Sequence, residues 1–382
     1  MFFVHESIPE LPKLDFQKIS SMTPQVLSTL QRLLQDRVHV QKYVSAPSRI
    51  QFADVEKASS KLAFSIELLN TCAKNKLQPE GASYKGFLKN KGKTLRLFAN
   101  PEVIFTVDFL YSRFGFALAT LRSAKDEMEN VRKATHQLDA YNETVKSLIE
   151  KTRAASQRIY KLHQFQPLIS SSLGVNGQIF ELNSRAVEYI DLLCRVNFAS
   201  VLVIKTMSSM MNPDKASFLA QLCKKTWLLC QQSKQFWDGV ATPETQVFAD
   251  FFDIATSFFY MMTMFAIIKC NNYENDGLLK KNKDYKTIVW ENSALAEEIV
   301  KTHKQAIKQK YSSSDSFNID ENKQAITSFF EAFMAQACED SNRTYGYLKN
   351  ELASNPKPTA LAIVNCFGLT SDFIEDVLKE DN

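Results

Sequence analysis

The chain has 382 residues, 45% of them hydrophobic and 23% charged, a balance that supports a buried core and excludes a disordered chain. Its 46 basic and 42 acidic residues leave a formal net charge of +4, too even for a dedicated nucleic-acid binder that reads phosphates through a basic face. Seven cysteines, Cys72, Cys194, Cys223, Cys230, Cys270, Cys338 and Cys366, are odd in number and mostly embedded in apolar helical stretches, which predicts reduced core thiols in a reducing compartment.

Only ten glycines and eleven prolines punctuate the chain, so long uninterrupted helices are the main expectation. Residues 1–22 read as an irregular, proline-containing segment with Phe2, Phe3 and Val4 as a short edge strand. Its start has neither a basic n-region nor a long apolar stretch, so no secretory signal is expected. Thr23 followed by Pro24 marks the start of a first helix, because proline lacks the N–H that would be orphaned there, and the helix should run to about Val44. Asp54 to Lys76 reads as a second helix, with Val55, Ala58, Leu62, Ile66 and Leu69 on one stripe. Between Ser83 and Phe98 the period changes to two short runs about Lys89–Lys93, which predicts a small hairpin outside the helical body.

After Asn100 and Pro101 the pattern is helical over 101–123, 137–164, 179–211, 214–237, 244–271, 287–309 and 321–353, each bounded by a breaker or cap. The most apolar window, Phe248 to Ile268, contains Asp250 and Asp253, and so reads as a core helix rather than a membrane span. The terminal segment after Gly368, with Phe373, Ile374 and Val377 on one side, reads as a short amphipathic helix. The fold class expected is therefore all-α with one small β-hairpin, laid out as consecutive helical hairpins in a single domain over 1–382. No clean period near 34 residues and no tetratricopeptide consensus accompanies it.

The chemistry-bearing residues are dispersed. His5, His39, His136, His163 and His303 pair with no Cys, His or acid at a zinc spacing, and Cys223 with Cys230 reads as core packing, so no metal or other cofactor is expected. There is no Gly-rich phosphate loop, no G-x-S-x-G elbow, no kinase signature and no helical aspartate cluster for a magnesium-bound diphosphate. These absences predict a protein that is not an enzyme. A polar cluster assembled only by folding is what would overturn that. Lysines do gather, at Lys89, Lys91 and Lys93, at Lys280, Lys281, Lys283 and Lys286, and at Lys301, Lys304, Lys308 and Lys310. Such patches serve as solubilising faces, or hold a protein on anionic lipid at about 1 kcal/mol per residue.

Three stretches, in order and at the right separations, carry a family resemblance. FTVDFLYSRFGFALATL (Phe105 to Leu121) with KSLIEKTRAASQRIYKL (Lys146 to Leu162) is similar to the early helical hairpin of the Bro domain family, the helical module of Alix, yeast Bro and Brox. NFASVLVIKTMSSMMNPDKASFLAQLCKKTWLLC (Asn197 to Cys230) resembles that family's central helix, turn and helix, with a short insertion near the turn. ACEDSNRTYGYLKNEL (Ala337 to Leu352) is similar to the segment closing its last long helix; Asp340 and Tyr345 match, whereas Arg343 and Thr344 stand where the family prefers apolar residues.

The resemblance implies a banana-shaped domain with a tetratricopeptide-like core and a role in the ESCRT pathway of endosomal sorting and membrane budding. It implies a groove that receives the amphipathic C-terminal helix of an ESCRT-III subunit, with its apolar positions at Leu202, Phe218 and Leu222. Spacing alone leaves those three equally placed to be internal packing. The layout is that of a stand-alone Brox-like module, but without a prenylation cysteine. A cytoplasmic protein, drawn peripherally to endosomal membranes by its partner or by its lysine patches, is the expectation. A helical scaffold of the same shape whose groove takes another ligand is the competing one.

Overall fold

Three helices begin where a capping side chain stands just before a proline. In the computed structural model, which describes residues 8–16, 22–47, 50–88, 94–97, 100–133, 138–162, 182, 184–208, 212–238, 246–281 and 335–347, Thr23 caps α1 (Pro24–Ser45), its hydroxyl oxygen accepting from Val26 N at 3.5 Å. Asn100 caps α4 (Pro101–Lys133) by accepting from Glu102 N and Val103 N. Asn212 caps the helix Pro213–Asp238 through a 2.8 Å bond from Lys215 N. Each satisfies N–H groups that the first helical turn leaves without partners.

Between α1 and α4 lie α2 (Phe52–Lys61), α3 (Phe64–Asn75) and an antiparallel hairpin, β1 (Ala82–Lys85) with β2 (Thr94–Leu97), in the register Tyr84 opposite Leu95. The single helix expected over 54–76 is thus two. Leu62 and Phe64 are both buried, and residues two apart point to nearly opposite sides of a continuous helix; the break at Leu62–Ala63 turns both inward. The helix expected to stop at 123 continues to Lys133, because the charged run that follows Ser123 is built of good helix formers and holds no breaker.

α5 (Leu138–Tyr160), α6 (Ser184–Ser208), α7 (Pro213–Asp238), α8 (Gln246–Lys281) and α9 (Ala335–Tyr345) complete the described elements. The chain divides into two units between Val201 and Leu202, inside α6. Two helical windows, Pro101–Met128 and Phe251–Cys270, are long and apolar enough to cross a membrane, but 89% and 75% of them is buried, which is how core helices behave.

In the first unit α4 is the central element, meeting α1, α2, α3 and α5. Gly115 sits where α4 comes closest to its neighbours: a Cβ there would lie 3.1 Å from Val44 Cγ2 and 3.3 Å from Pro9 O. The irregular segment 8–16 lies along this core, burying Leu11, Leu14 and Phe16, with Leu11 N donating to Gln41 Oε1 at 2.7 Å. The abundant phenylalanines fill it, Phe64, Phe105, Phe114 and Phe116 being almost wholly buried.

Buried polar ties cross the same core. Arg37 on α1 makes a two-pronged ion pair with Asp108 on α4, at 2.6 and 2.9 Å, and Tyr84 on β1 donates to the same carboxylate at 2.6 Å. Burial acts against the Arg37 charge, yet Asp108 outweighs it and leaves the Arg37 pKa raised; burial and the same carboxylate drive the Tyr84 pKa well up. Lys151 on α5 spends all three ammonium hydrogens, on Ile50 O, Ser123 Oγ and Glu127 Oε2, between 2.8 and 3.0 Å.

In the second unit α7 and α8 form the most extensive helix pair among the described residues, and α9 rests on α8. The expected strand at Phe2–Val4, the turn at Lys89–Lys93, the helix at 287–309, most of that at 321–353 and the terminal amphipathic helix lie outside the described residues.

Candidate helix-binding strip

The buried face of α7 runs through Ala216, Leu219, Ala220, Cys223, Thr226 and Cys230, at the three- and four-residue spacing of one helical stripe. Burial alone pushes the Cys223 and Cys230 thiols well above their ordinary range, so both are protonated packing groups. These two, with Cys72, Cys194 and Cys270, are in no disulfide.

Beside that stripe the exposure is mixed. Phe218 is half-buried and followed by Leu222, Lys225 and Leu229, four, seven and eleven residues on. Leu228, ten residues from Phe218, is 41% exposed, one of the large apolar side chains most open to solvent among the described residues. Trp227 turns toward α8, its ring centroid 4.7 Å from that of Tyr260. An edge that starts at a half-buried ring and ends at an exposed leucine offers a strip for the apolar side of another helix.

The three sequence-predicted groove positions therefore differ. Leu202, on α6, and Phe218 are half-buried, with surface left to offer a partner. Leu222 is 3% exposed and lies in the core, where it supports the strip from beneath and has little area left for a ligand. Leu228 was missed by sequence reasoning. Its signal is the run TWLLC, where two adjacent leucines cannot both face inward; Leu229 continues the spacing from Phe218, and Leu228 lies about 80° round the helix from it.

Tyr345 ends α9 and is 2% exposed; its hydroxyl donates to Asn272 O on α8 at 3.0 Å. It is a docking residue that fixes a short helix to a long one. Lys280 and Lys281 end α8, but their side chains, and Lys283 and Lys286 altogether, lie outside the described residues.

No family model and no curated protein sequence matches the chain. Solved structures do. A structure of a Bro1 domain, described as the basis for its endosomal targeting, aligns over 100% of this chain and 96% of its own, with a TM-score of 0.57 and 12% identity. The chain has the fold of a Bro1 domain. A second Bro1-fold structure, ALIX BRO1 in complex with CHMP4C, aligns over 94% of this chain and 93% of its own, with a TM-score of 0.53 and 12% identity. At that identity the likeness concerns the path of the backbone.

Proposed function

We propose that this protein is a non-enzymatic, ESCRT-associated adaptor whose α7 strip receives the amphipathic C-terminal helix of an ESCRT-III subunit at endosomal membranes. The observation that carries this reading is that two large apolar side chains on α7 are left partly open, half-buried Phe218 and exposed Leu228. The fold it shares with ALIX BRO1, which has been seen in complex with CHMP4C, supports the choice of partner. Leu202 and Phe218 supply the anchors, Leu222 holds the floor and Leu228 extends the strip. Binding energy at such a surface comes from a few apolar anchors rather than from its total area.

The test is a calorimetric titration of the full chain with C-terminal helical peptides from each ESCRT-III subunit, beside the Phe218→Asp and Leu228→Asp variants. Micromolar binding to one peptide, weakened at least about tenfold in both folded variants, is the expected result. Binding that survives both substitutions would place the partner elsewhere. Failure of every peptide to bind would overturn the adaptor reading.

A further inference from the structure

The core side of α1 buries Leu30, Leu33, Val40, Tyr43 and Val44, but the helix also carries apolar side chains on its outer side. Leu34, Gln35, Val38, His39 and Lys42 line an open depression of about 380 Å³ there. Leu34 is half-buried, and Val38 is 51% exposed, the most open of the large apolar side chains among the described residues. A lone exposed valine is ordinary, whereas one set beside a leucine in a hollow is a surface that another apolar group can cover.

The charge beside this hollow is positive. Lys42 lines it, and α2 brings a second cation: Asp36, nine residues before the end of α1, is ion-paired with Lys61, nine residues after the start of α2. The two helices therefore run antiparallel in register, which sets Lys57, one turn before Lys61, beside His39, one turn after Asp36. Burial, and then the charges of Lys57 and Lys61, lower the His39 pKa, so His39 is neutral at pH 7. The nearby acids are already engaged, Asp36 by Lys61 and Arg32, and Asp54 by the N–H of Gln51. Lys42 and Lys57 are exposed and make no ion pair among the described residues.

We propose that this face of α1 binds segment 369–382 of a second copy of the chain, so that the protein self-associates. The segment, LTSDFIEDVLKEDN, sets Phe373, Ile374 and Val377 on one side and carries Asp372, Glu375, Asp376, Glu380 and Asp381 against one cation, Lys379. Its apolar side suits Leu34 and Val38, and its acids suit Lys42 and Lys57. The face stands open in the single chain, with Val38 in contact with solvent, which is why the segment that covers it is assigned to another copy. Exchanged both ways, the contact is made twice in each dimer, and the second is gained at the high effective concentration set by the first. The contact uses neither Phe218 nor Leu228, so it stands or falls apart from the adaptor reading.

The experiment is sedimentation velocity of the full chain from about 1 to about 200 μM, with Val38→Asp and Phe373→Asp alongside. A reversible dimer is expected, weakened about tenfold or more by either substitution and weakened also by raising the salt. An equal mixture of the two variants should associate better than either alone, because each supplies the half that the other lacks. Lys42→Glu, on a side chain already in water, should weaken the dimer several-fold and keeps the test open if Val38→Asp fails to fold. A fluorescein-labelled peptide of residues 369–382 is titrated in parallel. A chain that stays monomeric throughout overturns the proposal; if the peptide nevertheless binds, the segment belongs on its own chain. A dimer that survives both substitutions, or a mixture that gains nothing, overturns it as well.

Discussion

The core around α4 and the α7–α8 pair solve the same problem by different means. Around α4, fully buried ions tie elements that are distant in sequence, Arg37 to Asp108 and Tyr84, and Lys151 to Ser123 and Ile50. On α7 and α8 the buried faces are dominated by apolar groups, Leu219, Ala220 and Cys223 on one and Phe252, Phe259 and Met262 on the other, with the ion pair Lys234–Asp253 at 2.7 Å toward the surface. A buried ion pair is satisfied in one geometry only, so it fixes register at the expense of tolerance. Apolar faces carry no such demand, and their edge can stay partly uncovered, as at Leu228.

The largest effect should come from breaking the ionic side of this contrast. Asp108→Ala leaves Arg37 buried and unpaired and removes the acceptor of Tyr84, so urea unfolding should show a loss of about 3 to 5 kcal/mol. The double substitution Arg37→Met with Asp108→Leu should recover most of that loss, because it removes both charges together. A loss below about 1 kcal/mol for Asp108→Ala would mean that the pair is solvated and the contrast false.

The apolar side is sharpened by a matched pair of charges. Leu222→Asp places a carboxylate in the core and should destabilise the protein by about 3 kcal/mol or more. Leu228→Asp, six residues away on the same helix, should change stability by no more than about 0.5 kcal/mol, since that side chain already meets water. Equal effects in thermal unfolding would erase the distinction between floor and edge.

How much of this was legible beforehand follows the range of each interaction. Helix starts were readable because their causes are local: Thr23 and Pro24, Asn100 and Pro101, and Asn212 and Pro213 lie next to the helices they begin. The all-helical class and the hairpin followed from periodicity and turn residues, and order and spacing carried the likeness to the Bro fold. The break at Leu62 was not readable, since two inward-facing residues two apart contradict a continuous helix only once the core around them is known. The Arg37–Asp108 pair spans 71 residues and so has no sequence signature. At the proposed strip, spacing could not rank Phe218 above Leu222, which differ by a small rotation about α7.

A smaller effect appears in alkali. Burial pushes the Cys72 thiol up from 9.0 to about 12, so between those values the folded state holds a proton that the unfolded state has released. Its contribution is complete below about pH 9 and is lost as pH rises toward 12, at about 1.4 kcal/mol per pH unit. Cys194, Cys223 and Cys230 are shifted in the same direction and steepen the fall. Cys72→Ala should flatten the alkaline limb of a stability-against-pH curve by one proton, and an unchanged slope would place that thiol in contact with water.

The smallest effect concerns α9, whose 11 residues make a helix too short to stand without tertiary support. Its last residue, Tyr345, is anchored by one hydroxyl bond to Asn272 O and by a buried ring. Tyr345→Phe keeps the ring and removes the bond, which should cost about 1 kcal/mol. Because the bond joins α9 to α8 alone, that cost should fall on local opening: amide exchange should quicken about fivefold within 335–345 while the amides of α4 stay as they were. Uniform quickening across both units would show instead that α9 opens only when the whole chain does, and that the α7–α8 side is as tightly coupled as the ionic core.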